Sequence, residues 1–258
     1  MKILVLIKEV PDTYGDRKLN LETGLADRAA SESVLDEIGE RATEVALSYA
    51  DAHEGTEVVA VGLAPEGAAA TIRKALAMGA DSAVHVLDDA LLGADLSLTA
   101  EALAAAIRRT GFDLVITGNA STDGSGGVIP AMLAEHLDVP HLTGLSSVEL
   151  SAERISGARP VDGGVQQVSA ALPAVISITE ALPDGRFPNF KGIMAAKKKP
   201  VETVSLTDLG VDPEDWSAGR SIMLSVAERP PRAAGVKIVD EGDAGTKLAE
   251  FLAENRLA

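Results

Sequence analysis

Residues 3–7, Ile3-Leu4-Val5-Leu6-Ile7, form an unbroken apolar run between Lys2 and Lys8. A strand with one wet face alternates apolar and polar residues. A run without interruption is covered on both faces, as parallel strands are under their crossover helices. The same texture recurs at 57–63 (Val58, Val59, Val61), at 83–87 and at 113–117 (Leu114, Val115, Ile116). Between these runs the spacing becomes helical. Over 33–49, Val34, Leu35, Ile38, Ala42, Val45, Ala46 and Tyr49 share one helix face. A second helix over 66–78 stops at Gly79, a natural residue just past a helix end. A third, over 95–109, carries Arg108 and Arg109 in its last turn and stops at Gly111. A fourth covers 128–137. Strands alternating with helices predict an α/β fold, an open and mostly parallel sheet with flanking helices and right-handed crossovers.

After Pro140 the texture changes. Short strand-like runs at 145–150, 165–171 and 174–179 are separated by Gly157, Asp162-Gly163-Gly164 and Pro173, and predict antiparallel additions at the sheet edge. From about residue 200 the chain is polar, with Pro213, Pro230 and Pro231, and ends in an amphipathic helix near 244–255. The expected division is an α/β domain over 1–200 and an extended C-terminal arm over 201–258. The arm has no core of its own and is expected to lie against this domain or another subunit.

Composition narrows the function classes. The 258 residues contain no cysteine, which excludes disulfides, Cys-ligated zinc and iron–sulfur sites. His53, His85, His136 and His141 lack metal-ligand spacing, so no metal site is expected. A net charge of −16 argues against general nucleic-acid binding, which relies on phosphate-neutralising cations. The opening apolar run is too short for a signal peptide or a membrane span, so a soluble, cytoplasmic protein is expected. No nucleophile elbow or other hydrolytic signature is present.

The stretch Thr117-Gly118-Asn119-Ala120-Ser121-Thr122-Asp123-Gly124-Ser125-Gly126-Gly127 follows the fourth strand and precedes a helix. Open parallel sheets bind ligands beyond the carboxyl ends of their strands. A Gly/Ser/Thr loop there exposes backbone N–H groups, and the following helix start favours an anion. The loop is neither a Walker loop nor a dinucleotide fingerprint, so a nucleotide phosphate site and an ordinary βα loop both remain open. Lys8-Glu9-Val10-Pro11-Asp12 ends the first strand on the same rim, with Lys8 either near a phosphate or solvated.

Residues 182–199 stand apart. Two of the four phenylalanines, Phe187 and Phe190, lie here among Pro and Gly. The segment 186–199 carries Arg186, Lys191, Lys197, Lys198 and Lys199 and no acid. It shows neither helical nor strand periodicity. Its aromatics are either core residues or exposed anchors in a basic setting, the latter being typical of interface hot spots.

Several motifs together resemble one family. Lys8-Glu9-Val10-Pro11-Asp12, Thr71-Ile72-Arg73-Lys74-Ala75-Leu76-Ala77-Met78-Gly79-Ala80-Asp81, Asp162-Gly163-Gly164, Leu172-Pro173-Ala174-Val175, Gly192-Ile193-Met194-Ala195-Ala196-Lys197-Lys198-Lys199 and Ala233-Ala234-Gly235-Val236-Lys237 resemble, in order and nearly end to end, the β subunit of electron transfer flavoprotein. The resemblance implies an adenine nucleotide alpha hydrolase-like α/β domain whose arm packs on an α subunit. It implies a structural AMP in this chain and FAD held mainly by the α subunit, near the interface. The pair would carry electrons from acyl-CoA and related flavin dehydrogenases to a membrane quinone oxidoreductase, with no substrate turned over on this chain.

By the same resemblance, the nucleotide site would comprise Leu6, Asp36, Glu37, Ile38, Gly39 and Leu63, and Lys8 is added as a candidate from its place on the rim. The loop would add Gly118, Asn119, Ala120, Ser121, Thr122, Asp123, Gly124, Ser125, Gly126, Gly127, Val128 and Ile129. Residues 182–199 would be the recognition loop, with Phe190 as anchor and Arg186, Phe187, Ile193, Met194, Lys197, Lys198 and Lys199 around it. The chain departs from the family pattern at Asp36, where Asn is common, and at Gly127-Val128-Ile129, where Asn-Gln-Thr is common. Two alternatives stand beside this reading. One is a bifurcating flavoprotein subunit with a second FAD in place of AMP; Asp123-Gly124-Ser125 resembles that group. The other is a stand-alone nucleotide-binding regulatory protein.

Overall fold

The computed structural model describes residues 1–257 apart from Asp16 and the side chain of Trp216. Strand β1 (Lys2–Ile7) is followed by a short antiparallel ribbon, β2 (Glu9–Pro11) paired with β3 (Ser33–Leu35), and by helix α1 (Glu37–Ala52). The alternation continues through β4 (Glu57–Leu63), α2 (Ala69–Met78), β5 (Ser82–Val86), α3 (Leu96–Thr110), β6 (Leu114–Gly118) and α4 (Ile129–Leu137). Strand β7 (His141–Leu145) leads into an antiparallel three-stranded sheet of β8 (Ser147–Leu150), β9 (Arg154–Val161) and β10 (Gly164–Ala171). The chain returns as β11 (Ala174–Ile178), then forms α5 (Phe190–Ala196), β12 (Val201–Val204) and α6 (Leu206–Leu209).

The main sheet has seven parallel strands in the order β12-β5-β4-β1-β6-β11-β7. The uninterrupted apolar run of β1 is explained by its position at the centre. Ile3, Val5 and Ile7 pack with Ala42, Ala46 and Leu47 of α1 and Ile72 and Leu76 of α2. Leu4 points the other way, into a layer with Leu103 and Ile107 of α3 and Leu133 of α4. Each fully buried Leu or Ile contributes about 1.5–3 kcal/mol of transfer free energy. Caps set the helix limits: the Asp95 carboxylate accepts from Leu98 N at 2.8 Å, and Gly111, at φ +74°, ends α3.

Four expectations change. The helix expected from residue 33 begins at Glu37, because 33–35 pair with β2 and the Asp36 amide donates to Lys8 O at 2.9 Å. Val34 and Leu35 fit the helical spacing by coincidence. The run at 174–179, expected as an antiparallel edge, is the interior strand β11, parallel to both β6 and β7 and buried along its length. The run at 145–150 divides, with Leu145 ending a parallel strand and 147–150 opening the antiparallel sheet. Residues 190–196 form a helix where no periodicity was legible, started by Asn189, whose side chain accepts from Gly192 N at 2.8 Å.

Met1–Leu224 is one compact unit, and it includes β12 and α6. Ser225–Ala258 is a second unit, holding helix α7 (Ala244–Glu254), on which Leu248 and Phe251 are exposed. No helix among the described residues is long and apolar enough to cross a membrane.

Candidate functional site

The sheet order reverses at β1. From β1 the chain proceeds to β4 and β5 on one side, then crosses to β6 on the other. The crevice beyond the carboxyl ends of β1 and β6 is therefore a topological switch point, where open α/β sheets bind ligands. Three segments meet there: Lys8 leaving β1, Asp36 opening α1, and the loop that runs from Gly118 to α4.

Their packing explains the local sequence. A Cβ on Gly118 would lie 2.5 Å from Ile38 Cγ2, so glycine lets the start of α1 close over the end of β6. Asp36 is 2% exposed; its Oδ2 accepts from Thr122 N at 2.9 Å, which ties the loop to α1. Its Oδ1 and the Thr122 hydroxyl are buried without a hydrogen-bond partner among the described residues. Burial raises the Asp36 carboxyl above the usual carboxylate range, against the opposing pull of the Thr122 amide. Ser125 has φ +51° and Gly127 φ +67°. The amides of Gly126, Gly127 and Val128 have no hydrogen-bond acceptor among the described residues, and all three residues are exposed at the start of α4.

Cations gather around the same loop. Lys8 Nζ lies 2.7 Å from Asp123 Oδ1 and 3.2 Å from Ser121 Oγ. Arg28 Nη2 is 3.2 Å from Asp123 Oδ2, and Arg17 donates to Thr122 O. Burial alone would raise the Asp123 carboxyl, but the Lys8 and Ser121 bonds and the Lys8 charge hold it at about 2. Glu9 is turned away, accepting from the Thr71 hydroxyl. Glu37 is exposed and pairs with Arg41, while Leu6 and Leu63 are half-buried beneath the rim.

The basic segment leaves β11, the neighbour of β6, and is fastened to α1 and α2. Arg186 makes a bidentate pair with Glu44 (Nε 2.7 Å, Nη2 2.8 Å) and reaches Asp51 at 2.9 Å. Burial would raise the Glu44 carboxyl, yet the Arg186 bonds hold it below its usual range. Arg41 donates to Leu182 O and pairs with Asp184, and Arg73 donates to Ala196 O at 2.8 Å. Lys199 Nζ is bonded to the carbonyls of Leu76, Gly79 and Ala80 at 3.1, 2.9 and 2.6 Å, capping the end of α2. A Cβ on Gly192 would lie 2.4 Å from Ala77 O, so α5 presses directly on α2. On this fastened base Phe187 is 96% and Phe190 79% exposed, with Ile193, Met194, Lys197 and Lys198 also exposed.

Residues 23–209 match the family model "Electron transfer flavoprotein domain". The chain is 45% identical to the electron transfer flavoprotein subunit beta of Mycobacterium leprae, covering 99% of this chain and 98% of that one. The chain belongs to the electron transfer flavoprotein family. It is also 32% identical to the subunit beta of Bacillus subtilis, over 98% of this chain and 96% of the relative. Caffeyl-CoA reductase-Etf complex subunit CarD of Acetobacterium woodii is 33% identical over 83% of this chain and 82% of its own length.

Within this family framework, Lys8, Asp36, Ile38, Gly39 and the 118–129 loop converge, whereas Glu37 faces Arg41. In the basic segment, Phe187, Phe190, Ile193, Met194, Lys197 and Lys198 share the exposed part, while Arg186 and Lys199 are engaged with α1 and α2. Sequence reasoning missed Arg17 and Arg28. They lie between β2 and β3, where no periodicity or motif marks them.

Proposed function

We propose that this chain is the β subunit of an electron transfer flavoprotein, a carrier without substrate turnover of its own. It pairs with an α subunit, and Ser225–Ala258, the part of the expected 201–258 arm that lies outside this chain's own sheet and core, packs on that partner. AMP is the ligand of the switch-point crevice, and FAD lies at or near the interface with α. The observation that carries the nucleotide assignment is one switch-point loop with two unsatisfied features among the described residues: amides at Gly126, Gly127 and Val128 without an acceptor, and, at its Thr122 end, the buried Asp36 Oδ1 without a partner.

These groups fit a nucleotide. The exposed amides and the start of α4 suit a phosphate, and Lys8 adds positive charge. Asp36 offers an acceptor for a hydroxyl or amine, once the loop opens enough to reach it. Flavin supplies the electron-transfer chemistry when bound. This chain's own contribution is to hold the nucleotide and present a docking face. The Phe187–Phe190 turn and α5 form that face for acyl-CoA and related flavin dehydrogenases, and a membrane quinone oxidoreductase receives the electrons. The protein works in the cytoplasm.

A second reading, a bifurcating subunit with a second FAD in place of AMP, is favoured by the Asp123-Gly124-Ser125 loop. Co-expression with the cognate α subunit, followed by chromatography of the released nucleotides, separates the two. One AMP and one FAD per heterodimer are expected. Two FAD and no AMP would overturn the first reading in favour of the second.

A further inference from the structure

The cations of the crevice already hold an anion, and it belongs to the protein. Asp123 places one carboxylate oxygen on Lys8 and the other on Arg28, with Arg17 bound one residue away at Thr122 O. The Asp123 side chain is 11% exposed, while Lys8 and Arg28 keep 43% and 40% of theirs. A carboxylate buried between two accessible cations has the charge and oxygen geometry of a bound phosphate edge. The rest of the loop is held by Asn119 N on Ile178 O, Thr122 N on Asp36, Arg17 on Thr122 O, Ser121 Oγ between Lys8 and Gly124 N, and Ser125 N on Ser121 O, so Asp123 is the one loop carboxylate on these cations. Ser125, a non-glycine residue at positive φ, lies two positions further on.

We propose that Asp123 is an internal stand-in for a ligand phosphate, and that a nucleotide entering the crevice displaces it from Lys8 and Arg28. This rests on the nucleotide reading above and adds to it a competitor within the chain. The freed cations then face the ligand phosphate, and loop movement uncovers Asp36 Oδ1. In the terms of a two-state equilibrium, the binding-competent fraction is the fraction in which Asp123 has left. The inference makes Asp123 a residue that sets affinity without needing to touch the ligand.

The test is calorimetric titration of the nucleotide-free full chain with AMP and, separately, with inorganic phosphate. Asp123→Asn keeps an acceptor for Gly124 N, which now donates to Asp123 Oδ1 at 2.6 Å, and removes the charge. It is expected to tighten AMP binding about tenfold, the gain for a competent fraction of about one in ten. Lys8→Met in the same background should abolish that gain, as a coupled pair requires. Asp123→Ser serves as the second variant if Asn perturbs folding, and should act in the same direction. Unchanged or weaker AMP binding in folded Asp123→Asn and Asp123→Ser would overturn the stand-in while leaving the nucleotide site intact. A phosphate gain without AMP binding by any form would uphold the stand-in and overturn the nucleotide reading.

Discussion

Two segments leave neighbouring strands of one sheet, the 118–129 loop from β6 and the basic segment from β11, and they are held to different degrees. The basic segment is fastened to α1 and α2 through Glu44 and Asp51 on Arg186, Arg41 on Leu182 O, Arg73 on Ala196 O, and its own Lys199 on the end of α2. Its apolar residues are exposed only after that fastening. The 118–129 loop is also held by side chains of other elements, Lys8 and Arg28 on Asp123 and Asp36 on Thr122 N, but those two cations stay accessible, and three successive amides, 126–128, have no acceptor among the described residues. A docking face gains from being ordered beforehand, because ordering costs at the moment of binding are then avoided. A ligand loop gains from bonds that a ligand can replace. The difference in fastening matches the difference in the proposed tasks.

The sharpest way to break this comparison is at the exposed aromatics. Phe190→Ala should weaken productive docking by about 2 kcal/mol or more, as central interface anchors do, with flavin content unchanged. Stopped-flow reduction by a cognate dehydrogenase measures it; rates equal to wild type would remove Phe190 from the docking face. Phe187→Ala gives the companion measurement, since Phe187 is the more exposed of the two.

Next in size is the fastening. Arg186→Ala leaves Glu44, whose side chain is 14% exposed, without its bidentate partner. A loss of about 1–3 kcal/mol is expected in chemical denaturation, the cost of an unsatisfied, partly buried group. Lys199→Met should cost about 1–2 kcal/mol by uncovering the α2 carbonyls, and should weaken docking although Lys199 does not lie on the exposed face. A Lys199→Met protein with normal stability and reduced docking would mean that Lys199 meets the partner directly.

Gly118→Ala tests the joint between the two loop-bearing layers. The added methyl meets Ile38, so a loss of about 1–3 kcal/mol is expected from overpacking. Ile38→Ala in the same chain removes both Cγ atoms that the methyl meets and should recover the overpacking part of the loss.

The smallest effect is the pH response of the crevice. Asp123 has its folded pKa lowered to about 2, so its stabilisation is present above its unfolded pKa, about 4, and is lost as pH falls toward about 2. Asp36 has the opposite sign. Its folded pKa is raised by burial, so its favourable contribution is present below the unfolded value and is lost as pH rises through the folded one. Asp36→Asn should flatten the stability profile above pH 4, and Asp123→Asn should flatten it below. A profile unchanged by either substitution would contradict both environments.

Much of the fold was legible because continuous apolar runs and capped helices are local signals. Gly79, Asp95 and Gly111 mark ends through chemistry that needs no partner. The position of β11 was not legible, since Ala174-Val175-Ile176-Ser177-Ile178 can serve at an edge or at the centre, and long-range pairing decides. The β3 strand was hidden by a helical spacing that happened to include Val34 and Leu35. At the site, the Gly/Ser/Thr loop announced itself by composition and by its place after a strand. Arg17 and Arg28 did not, because only the path of 12–32 brings them to Asp123. Lys199 read as one of three equivalent lysines, and its burial against α2 depends on a contact 119 or more residues away in sequence.

Hydrogen–deuterium exchange of the full chain, with and without AMP, tests the contrast most directly. The amides of Gly192, Ile193 and Lys198, bonded to Asn189 and Ala195, should be protected in both conditions. Those of Gly126, Gly127 and Val128 should exchange quickly alone and slow when AMP is added. Fast exchange in both segments, or no change at 126–128 with saturating AMP, would contradict the account.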